Sequence, residues 1–365
     1  MSNCKEIVEE LEAKISQYEE MLEALTTTPR DIGKIISKSH MIGEKKFYRV
    51  LMSEGKERVL HSTIDCENDS EVLVLNNVIT AKLPNLLNRI IPENKISLAH
   101  WEEIGGLKSQ IKDIREAVEL PIKNSKVLKE FGMSPVAGIL LYGEPGCGKT
   151  LIAKAIAHTV LEEKSVSHEA FIHLKAGDIL DKYVGESEKI ISSVFKKARD
   201  YMVQTKKRSI IFIDEAEALL SDRRSGRNFS VVPSFLAEMD GIYVDKPLVI
   251  LATNLESQLD PAVVREGRID LKIHIKRPDA LDFKDIVKIH LKKSPCKDEI
   301  DELASNASEL VFNSRLQKSV SGAMASAMAK FAIQKAIVRN IEDKSQKGIT
   351  HQDIESAVEI LIAQN

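Results

Sequence analysis

The stretch GILLYGEPGCGKT, residues 138–150, decides the fold. Its opening GILLY is typical of a buried strand, and the segment that follows it, LIAKAIAHTVLEE, is typical of a helix. The residues between them, GEPGCGKT, fit the pattern GxxxxGK[ST]. In this setting the glycines let backbone N–H groups close around phosphates at the positive end of a helix. The sequence therefore predicts a phosphate-binding loop.

The loop carries the side chains that a nucleoside triphosphate and its metal require. Lys149 is expected to reach the β and γ oxygens of ATP, and the Thr150 hydroxyl to complete the Mg²⁺ shell. Cys147 has no sequence neighbour that could act as a nucleophile's base, which favours a structural role. The predicted nucleotide contacts here are Gly143, Pro145, Gly146, Cys147, Gly148, Lys149, Thr150 and Leu151.

Further apolar runs alternate with amphipathic segments on both sides of this loop. AFIHLKAG, SIIFID, LVILATN and LKIHIK join GILLYG as predicted strands. The alternation predicts an α/β class with a doubly wound parallel sheet over 96–277, in which ligands bind at the carboxyl ends of the strands. After Pro278 the pattern becomes helical, and residues 278–365 are predicted to form a helical lid.

Two strand ends carry polar residues suited to hydrolysis. In IIFIDEAEALL, residues 210–220, Asp214 is predicted to hold the Mg²⁺ hydration shell and Glu215 to orient a water toward the γ-phosphate. Glu217 fits better as an ordinary acidic residue at a helix start. Asn254, at the end of LVILATN, is predicted to sense the γ-phosphate, although an asparagine there is by itself typical of a turn.

The segment PAVVREGRID contains Arg265 and Arg268, which follow the predicted hydrolysis residues in the sequence. An arginine supplied by a neighbouring subunit raises phosphoryl-transfer rates by about 10³ to 10⁵, which favours a ring. Solvated surface arginines are the alternative.

The stretch HEAFIH, residues 168–173, spaces its histidines five apart within a predicted strand, so no zinc peptidase site is predicted.

The amino-terminal part shows two further patterns. Apolar residues step by four and three through residues 4–25, which predicts a coiled coil over 1–28, with a helix packed on its own domain as the alternative. The β-rich runs DIGKIIS, KFYRVLM, ERVLHS and EVLVLNNVI predict a small, OB-like barrel over 29–95. Exposed aromatics among basic residues are not evident there, so a structural or gating ring is favoured over an oligonucleotide site.

Composition narrows the class of partner. The formal net charge is −3, which makes nucleic acid an unlikely partner. No apolar run reaches membrane-spanning length, and the opening MSNCKEIVEE is unlike a secretory signal, so we expect a cytoplasmic protein without a membrane partner. The four cysteines are scattered, which predicts reduced thiols.

Several motifs occur in an order known from one family. They are WEEIGGL (101–107), the phosphate loop, KYVGESE (182–188), VVPSFLAEMDG (231–241), the strand ending in Asn254, DPAVVREGRID (260–270) and IKRPD (275–279). With them the chain resembles the AAA ATPases among the proteasome-associated unfoldases, and is most similar to the bacterial proteasome-associated ATPase of the ARC or Mpa type. The resemblance is dense over roughly residues 100–360 and weaker toward the amino end.

The resemblance implies further roles. Ile104 and Gly105 would line the adenine, and His290, Gly322 and Ala323 would contact the nucleotide from the lid. Arg265 and Arg268 would act across subunit boundaries in a homo-hexamer, and Pro29 would join the coiled coil to the barrel through a cis peptide. Tyr183, Val184 and Gly185 match the pore loop that grips an unfolded chain.

These implications together predict an ATP-driven unfoldase or translocase that threads unfolded or tagged proteins through a central pore. A remodelling ATPase without a protease, or a nucleic-acid motor, remain as alternatives. Glu144 and Glu266 stand where the family has prolines, and one barrel stands where the bacterial members carry two. The end EILIAQN lacks the tyrosine-containing docking tail, which places a protease core particle in doubt as a partner.

The pore-loop assignment makes a prediction for Tyr183. Tyr183→Ala removes apolar contact with substrate but leaves the nucleotide site intact, so we expect basal ATP hydrolysis to persist while unfolding of a stably folded, tagged reporter falls severely. Tyr183→Phe retains the ring and is expected to keep most unfolding activity. If Tyr183 were a core residue, Tyr183→Ala would cost about 3–5 kcal/mol and lower thermal stability, assembly and hydrolysis together.

Overall fold

A computed structural model of the chain describes residues 31–42, 45–52, 56–62, 64–66, 70–75, 77–82, 96–124, 127, 130–132, 135–162, 165–167, 169–177, 179, 187–221, 231–241, 246–342 and 347–364. The chain divides into two compact units, residues 1–89 and 90–365. The predicted coiled coil and the cis peptide at Pro29 lie outside the described residues. Within the described residues, no helix is both long and apolar enough to cross a membrane.

The first unit contains a five-stranded closed barrel. Its strands are β1 (Asp31–Ile42), β2 (Lys45–Met52), β3 (Glu57–Ser62), β4 (Glu71–Leu75) and β5 (Val78–Lys82). The order around the barrel is β1-β2-β3-β5-β4, and β1 closes it by pairing antiparallel with both β2 and β4. Inward-facing residues such as Ile35, Tyr48 and Val50 are fully buried. The OB-like assignment and the boundaries 29–95 stay predictions.

The β-rich run EVLVLNNVI contains parts of two strands, because β4 ends at Leu75 and β5 begins at Val78. Between them Asn77 adopts a φ of 63°. This left-handed conformation is one that asparagine tolerates better than most residues, and it turns the chain back so that β5 pairs antiparallel with β4.

The second unit is built on a parallel sheet. Its strands are β7 (Gly138–Gly143), β9 (Phe171–Lys175), β10 (Ile210–Asp214), β11 (Leu248–Thr253) and β12 (Leu271–Ile275), in the order β12-β7-β11-β10-β9. A short antiparallel pair, β6 (Ile96–Ser97) and β8 (Ser165–Val166), lies apart from it. The predicted α/β class with a parallel sheet is confirmed.

Helices connect the strands. They are α1 (Lys108–Lys123), α2 (Lys149–Leu161), α3 (Ser187–Thr205), the single turn α4 (Ala216–Leu219) and α5 (Val231–Asp240). All six residues of β11 are buried, as expected for a central parallel strand covered on both faces. Because β7 lies between β11 and β12, the loop that leaves its carboxyl end has the end of a neighbouring strand on each side.

After the sheet, the described residues form the helices α6 (Ala280–Leu291), α7 (Ile300–Phe312), α8 (Gly322–Glu342) and α9 (His351–Gln364). Their shared core includes Phe283, Val287, Leu303 and Ala325, all fully buried. Short 3₁₀ turns lie at Trp101–Glu103, Glu256–Gln258 and Arg315–Ser319. The described residues after the sheet are mainly helical, and the lid boundaries 278–365 stay a prediction.

The start of α9 is held by a buried carboxylate. Oδ2 of Asp353 accepts hydrogen bonds from the backbone N–H and the hydroxyl of Thr350, each at 2.9 Å, and from Nη2 of Arg339 at 2.6 Å. Burial acts to raise the pKa of Asp353, but the hydrogen bonds from Arg339 and Thr350 together outweigh it and leave that pKa lowered. Asp353 therefore fastens α9 to the end of α8.

This arrangement predicts the effect of Asp353→Asn. Since the variant weakens hydrogen bonds to a charged group, we expect it to lose about 1.5–3 kcal/mol in the free energy of unfolding, measured by urea denaturation at neutral pH. A lowered pKa means that the wild-type contribution is present above the ordinary aspartate value and is lost on acidification. The difference between the two proteins is therefore expected to shrink below about pH 3.9.

The matched control is Glu355→Gln, which lies exposed on the same helix. We expect its effect to stay within about 0.5 kcal/mol. Equal stability of Asp353→Asn and wild type at neutral pH would contradict the role of Asp353.

Candidate functional site

The loop between β7 and α2 has a backbone that glycines make possible. Gly143 has a φ of 141°, and a Cβ at this position would lie 2.1 Å from the carbonyl oxygen of Ile275. Gly146 and Gly148 have φ values of 73° and 88°, in the left-handed region. The loop therefore follows a path that L side chains would block, and it ends at the first turn of α2.

The side chain of Lys149 ties this loop to a second strand. Its Nζ donates to the carbonyl oxygens of Gly143 at 2.8 Å and Glu144 at 2.9 Å. It also donates to Oδ1 of Asn254 at 2.7 Å, directly after β11. Lys149 is only 7% exposed. Burial lowers the pKa of Lys149, and nearby groups including Cys147 and Asp214 oppose that shift.

Thr150 connects the start of α2 to the end of β10. Its Oγ1 donates to Oδ2 of Asp214 at 2.9 Å. A hydroxyl and a carboxylate are the hard oxygen ligands that Mg²⁺ prefers. In the described part of the chain no cluster of three or more His, Cys, Asp or Glu could hold a metal alone. Thr150 and Asp214 therefore suit a metal ion that keeps several water ligands and is also coordinated by phosphate oxygens.

Glu215 follows Asp214 in a strained conformation. Its φ is 55°, and its backbone N–H donates to Oδ1 of Asp214 at 3.0 Å. This turn ends β10 and starts α4. The residue is exposed and lines the cavity described next. Its carboxylate is thus open to solvent water at the mouth of the site.

A cavity of about 520 Å³ lies between the loop, the segment before α1 and the helices after the sheet. Its walls include all the predicted nucleotide contacts except Gly143: Ile104, Gly105, Pro145, Gly146, Cys147, Gly148, Lys149, Thr150, Leu151, His290, Gly322 and Ala323. Asp214 and Asn254 also line it. The structure thus brings together residues that are up to 219 positions apart, from Ile104 to Ala323.

Close backbone approaches join the cavity's walls. The N–H of Ala323 donates to the carbonyl oxygen of Gly146 at 2.9 Å, so α8 touches the loop directly. A Cβ at Gly105 would lie 2.5 Å from the backbone nitrogen of Ile286, so the segment before α1 packs against α6. Burial lowers the pKa of His290 on α6, with Lys293 and Lys330 adding to the effect.

Comparison with known proteins agrees with this geometry. Residues 139–277 match the family model described as "ATPase family associated with various cellular activities (AAA)". Residues 139–277 form an AAA ATPase domain.

Curated relatives extend the similarity beyond that domain. A Corynebacterium diphtheriae protein named "AAA ATPase forming ring-shaped complexes" is 36% identical over 276 residues, which are 71% of this chain and 54% of the relative. A "Proteasome-associated ATPase" of a Nocardioides species is 35% identical over 279 residues, 72% of this chain and 47% of the relative. The chain thus spans about half the length of these relatives. The resemblance drawn from the motifs is confirmed.

Glu217 and His173 of the AAA domain were not predicted to be site residues, yet both lie beside predicted ones. Oε1 of Glu217 accepts the backbone N–H of Asn254 at 3.3 Å, which is more than an ordinary helix start requires. Nε2 of His173 lies 4.0 Å from Oδ2 of Asp214. Oε2 of Glu217 and Nε2 of His173 are buried and lack a hydrogen-bond partner among the described residues. Burial lowers the pKa of His173, whereas Asp214 acts to raise it.

Cys147 and the pore-loop residues complete the set of predicted positions. Burial raises the pKa of the Cys147 thiol, and the structural role expected for this residue stays a prediction. Tyr183, Val184 and Gly185 lie outside the described residues, so their assignment stays a prediction.

The two predicted arginine fingers lie in different settings, and neither lines the cavity of its own chain. Arg268 donates from Nε to Oδ1 of Asp240 at 2.8 Å and from Nη2 to Oδ2 at 2.5 Å. Its Nη1 donates to the carbonyl oxygen of Ala262. This pairing lowers the pKa of Asp240 and raises that of Arg268. Arg265 is exposed.

The contrast predicts different stabilities for the two alanine variants. Arg268→Ala breaks the two-point pair with Asp240, which is half exposed. We therefore expect a loss of about 1 kcal/mol, measured as a lower thermal midpoint. Arg265→Ala is expected to stay within about 0.5 kcal/mol of wild type.

A double-mutant cycle with Asp240→Asn supplies the control. If the pair accounts for the loss, Asp240→Asn adds little in the Arg268→Ala background. Fully additive losses would show that Arg268 stabilises the AAA domain in another way.

Proposed function

We propose that this chain hydrolyses ATP with Mg²⁺ and uses the cycle to unfold and thread protein substrates in a ring of identical subunits. The observation that carries the proposal is the pair of contacts at the sheet edge. Lys149 reaches Asn254, Thr150 reaches Asp214, and both pairs line one cavity that the helices after the sheet help to form. A site that only bound a nucleotide would not require the acidic pair at the end of β10.

Each group has a role in this proposal that follows from its position. Lys149 is a buried cation whose present partners are neutral oxygens, so a phosphate can replace them with a gain in electrostatic energy. Backbone N–H groups of the loop and the start of α2 favour negative charge. Bound Mg²⁺ neutralises charge on the transferred phosphoryl group, and Thr150 and Asp214 are the residues that would hold it.

Glu215 is the group that we assign to the attacking water. Its carboxylate is exposed at the cavity, while its backbone N–H fixes it to Asp214. A carboxylate in this position can accept a hydrogen bond from water and orient a lone pair toward phosphorus. We assign to Asn254, whose amide oxygen accepts a hydrogen bond from Lys149, the role of responding to the presence or loss of the γ-phosphate.

A ring is supported by the relatives and by the arginines. One relative is named for ring-shaped complexes and another for association with the proteasome. Arg265 is exposed and does not line its own cavity, as a residue that serves a neighbour's site requires. We propose a homo-hexamer that acts on unfolded or tagged proteins, and the name of the second relative makes a protease core particle its candidate recipient.

Glu215→Gln and Lys149→Ala separate catalysis from binding. Glu215→Gln removes the carboxylate that orients water but leaves Lys149, Thr150 and Asp214, so we expect retained ATP binding and a fall in turnover of at least about 100-fold. Lys149→Ala is expected to weaken ATP binding itself. Calorimetry of binding and phosphate release on the same preparations check both. Turnover near wild type in Glu215→Gln would remove Glu215 from its role.

Mixed rings test action across subunits. Arg265→Ala is expected to impair hydrolysis without abolishing ATP binding. In a mixture with Lys149→Ala, some interfaces join the intact nucleotide site of an Arg265→Ala subunit to the intact Arg265 of a Lys149→Ala subunit. Such an interface has one complete site. Activity above the sum of the separate proteins is expected. A mixture that never exceeds the sum would not support a finger in trans.

The class of substrate is tested by measuring which polymer stimulates ATP hydrolysis. An unfolded protein is expected to raise the ATPase rate and single-stranded DNA to leave it unchanged. The reverse result would favour a nucleic-acid motor.

A further inference from the structure

His173 occupies a position that packing does not explain. It lies in β9, where it pairs in register with Phe212 of β10, two residues before Asp214. Its ring centroid lies 4.8 Å from that of Phe212 and 6.4 Å from that of Phe171. An apolar side chain would make such contacts without burying a nitrogen.

The buried nitrogen carries a cost in this chain. Nε2 of His173 is inaccessible to solvent and has no hydrogen-bond partner among the described residues. An unsatisfied buried polar atom typically costs about 1–3 kcal/mol. Buried groups left unsatisfied in a folded protein often mark a functional role. A functional role requires that Nε2 gains a hydrogen-bond partner when ligand is bound.

Asp214 is the group that Nε2 faces. The distance from Nε2 to Oδ2 of Asp214 is 4.0 Å, about 1 Å longer than a hydrogen bond. Oδ2 at present accepts the Thr150 hydroxyl, and Oδ1 accepts the N–H of Glu215. Each carboxylate oxygen can accept more than one hydrogen bond, so Oδ2 can accept Nε2–H as well as its partner at the Mg²⁺ site.

We propose that His173 is a positioning residue for Asp214. It donates its Nε2–H to Oδ2 and fixes the carboxylate in the orientation that the metal shell requires. The inference rests on the proposed function and deepens it. Partners of this kind orient the groups that hold a metal, and their loss typically weakens metal affinity by about 10- to 100-fold.

The test compares His173→Leu with His173→Gln. Leucine fills the space without a donor, whereas the glutamine amide can place an N–H near the position of Nε2. Mn²⁺ serves as the probe in place of Mg²⁺, and its binding to the full chain saturated with ADP is measured by electron paramagnetic resonance. ADP affinity in EDTA and the thermal midpoint are measured on the same preparations.

The expected result has three parts. His173→Leu weakens Mn²⁺ binding by about 10-fold or more, while ADP affinity in EDTA and the thermal midpoint stay at wild-type values or rise. His173→Gln recovers at least part of the Mn²⁺ affinity. If His173→Leu does not fold, His173→Phe takes its place, because the neighbouring contacts are with aromatic rings.

Two results would overturn the inference. One is Mn²⁺ affinity in the donor-free variant equal to wild type. The other is a parallel loss of Mn²⁺ and metal-free ADP affinity, which would show that His173 only maintains the pocket. Failure of the proposed function is seen separately, because wild type itself would then show no nucleotide-dependent Mn²⁺ site.

Discussion

The contact on which the site depends is the one between the buried ammonium of Lys149 and the amide oxygen of Asn254. A buried cation must be hydrogen-bonded, and Lys149 finds its partners in its own loop and at the end of β11. This is possible only because β11 pairs directly with β7. On the other side of β11, β10 brings Asp214 within reach of Thr150. The order of three parallel strands thus assembles a site from residues distant in sequence.

The helices after the sheet are coupled to this edge through small residues. Backbone meets backbone at Gly146 and Ala323, and at Gly105 and Ile286, where a larger side chain would hold the elements apart. A ligand that enters the cavity therefore touches the loop, the segment before α1 and the helical part at once. Such contacts provide a physical route by which a change at the phosphates can alter the position of the helices. Arg277 forms an ion pair with Glu144 and donates a hydrogen bond to the Lys318 carbonyl, which links the loop to the 3₁₀ turn before α8.

Much of the fold and of the candidate site could be predicted from the sequence, because the residues concerned lie in short continuous segments. The spacing of glycines, lysine and threonine identifies the loop 143–150, and Asp214 and Asn254 lie at the ends of apolar runs. The role of His173 needs the register of β9 on β10, which no local pattern encodes. The partner of Arg268 is likewise 28 residues away, so Arg265 and Arg268 looked equivalent. Glu217 was read as a helix start because its contact with Asn254 depends on sheet order. The coiled coil and the loop around Tyr183 lie outside the described residues and stay predictions.

The most direct test of the account is an experimental structure of the chain with Mg²⁺ and a slowly hydrolysed ATP analogue. We expect the phosphates to lie in the loop 143–150, with Lys149 turned from its carbonyl partners toward the β and γ oxygens. The adenine is expected between Ile104–Gly105 and His290, and the metal beside Thr150 and Asp214. An analogue bound elsewhere, or bound in the cavity with Lys149 still on Gly143 and Glu144, would contradict the central claim.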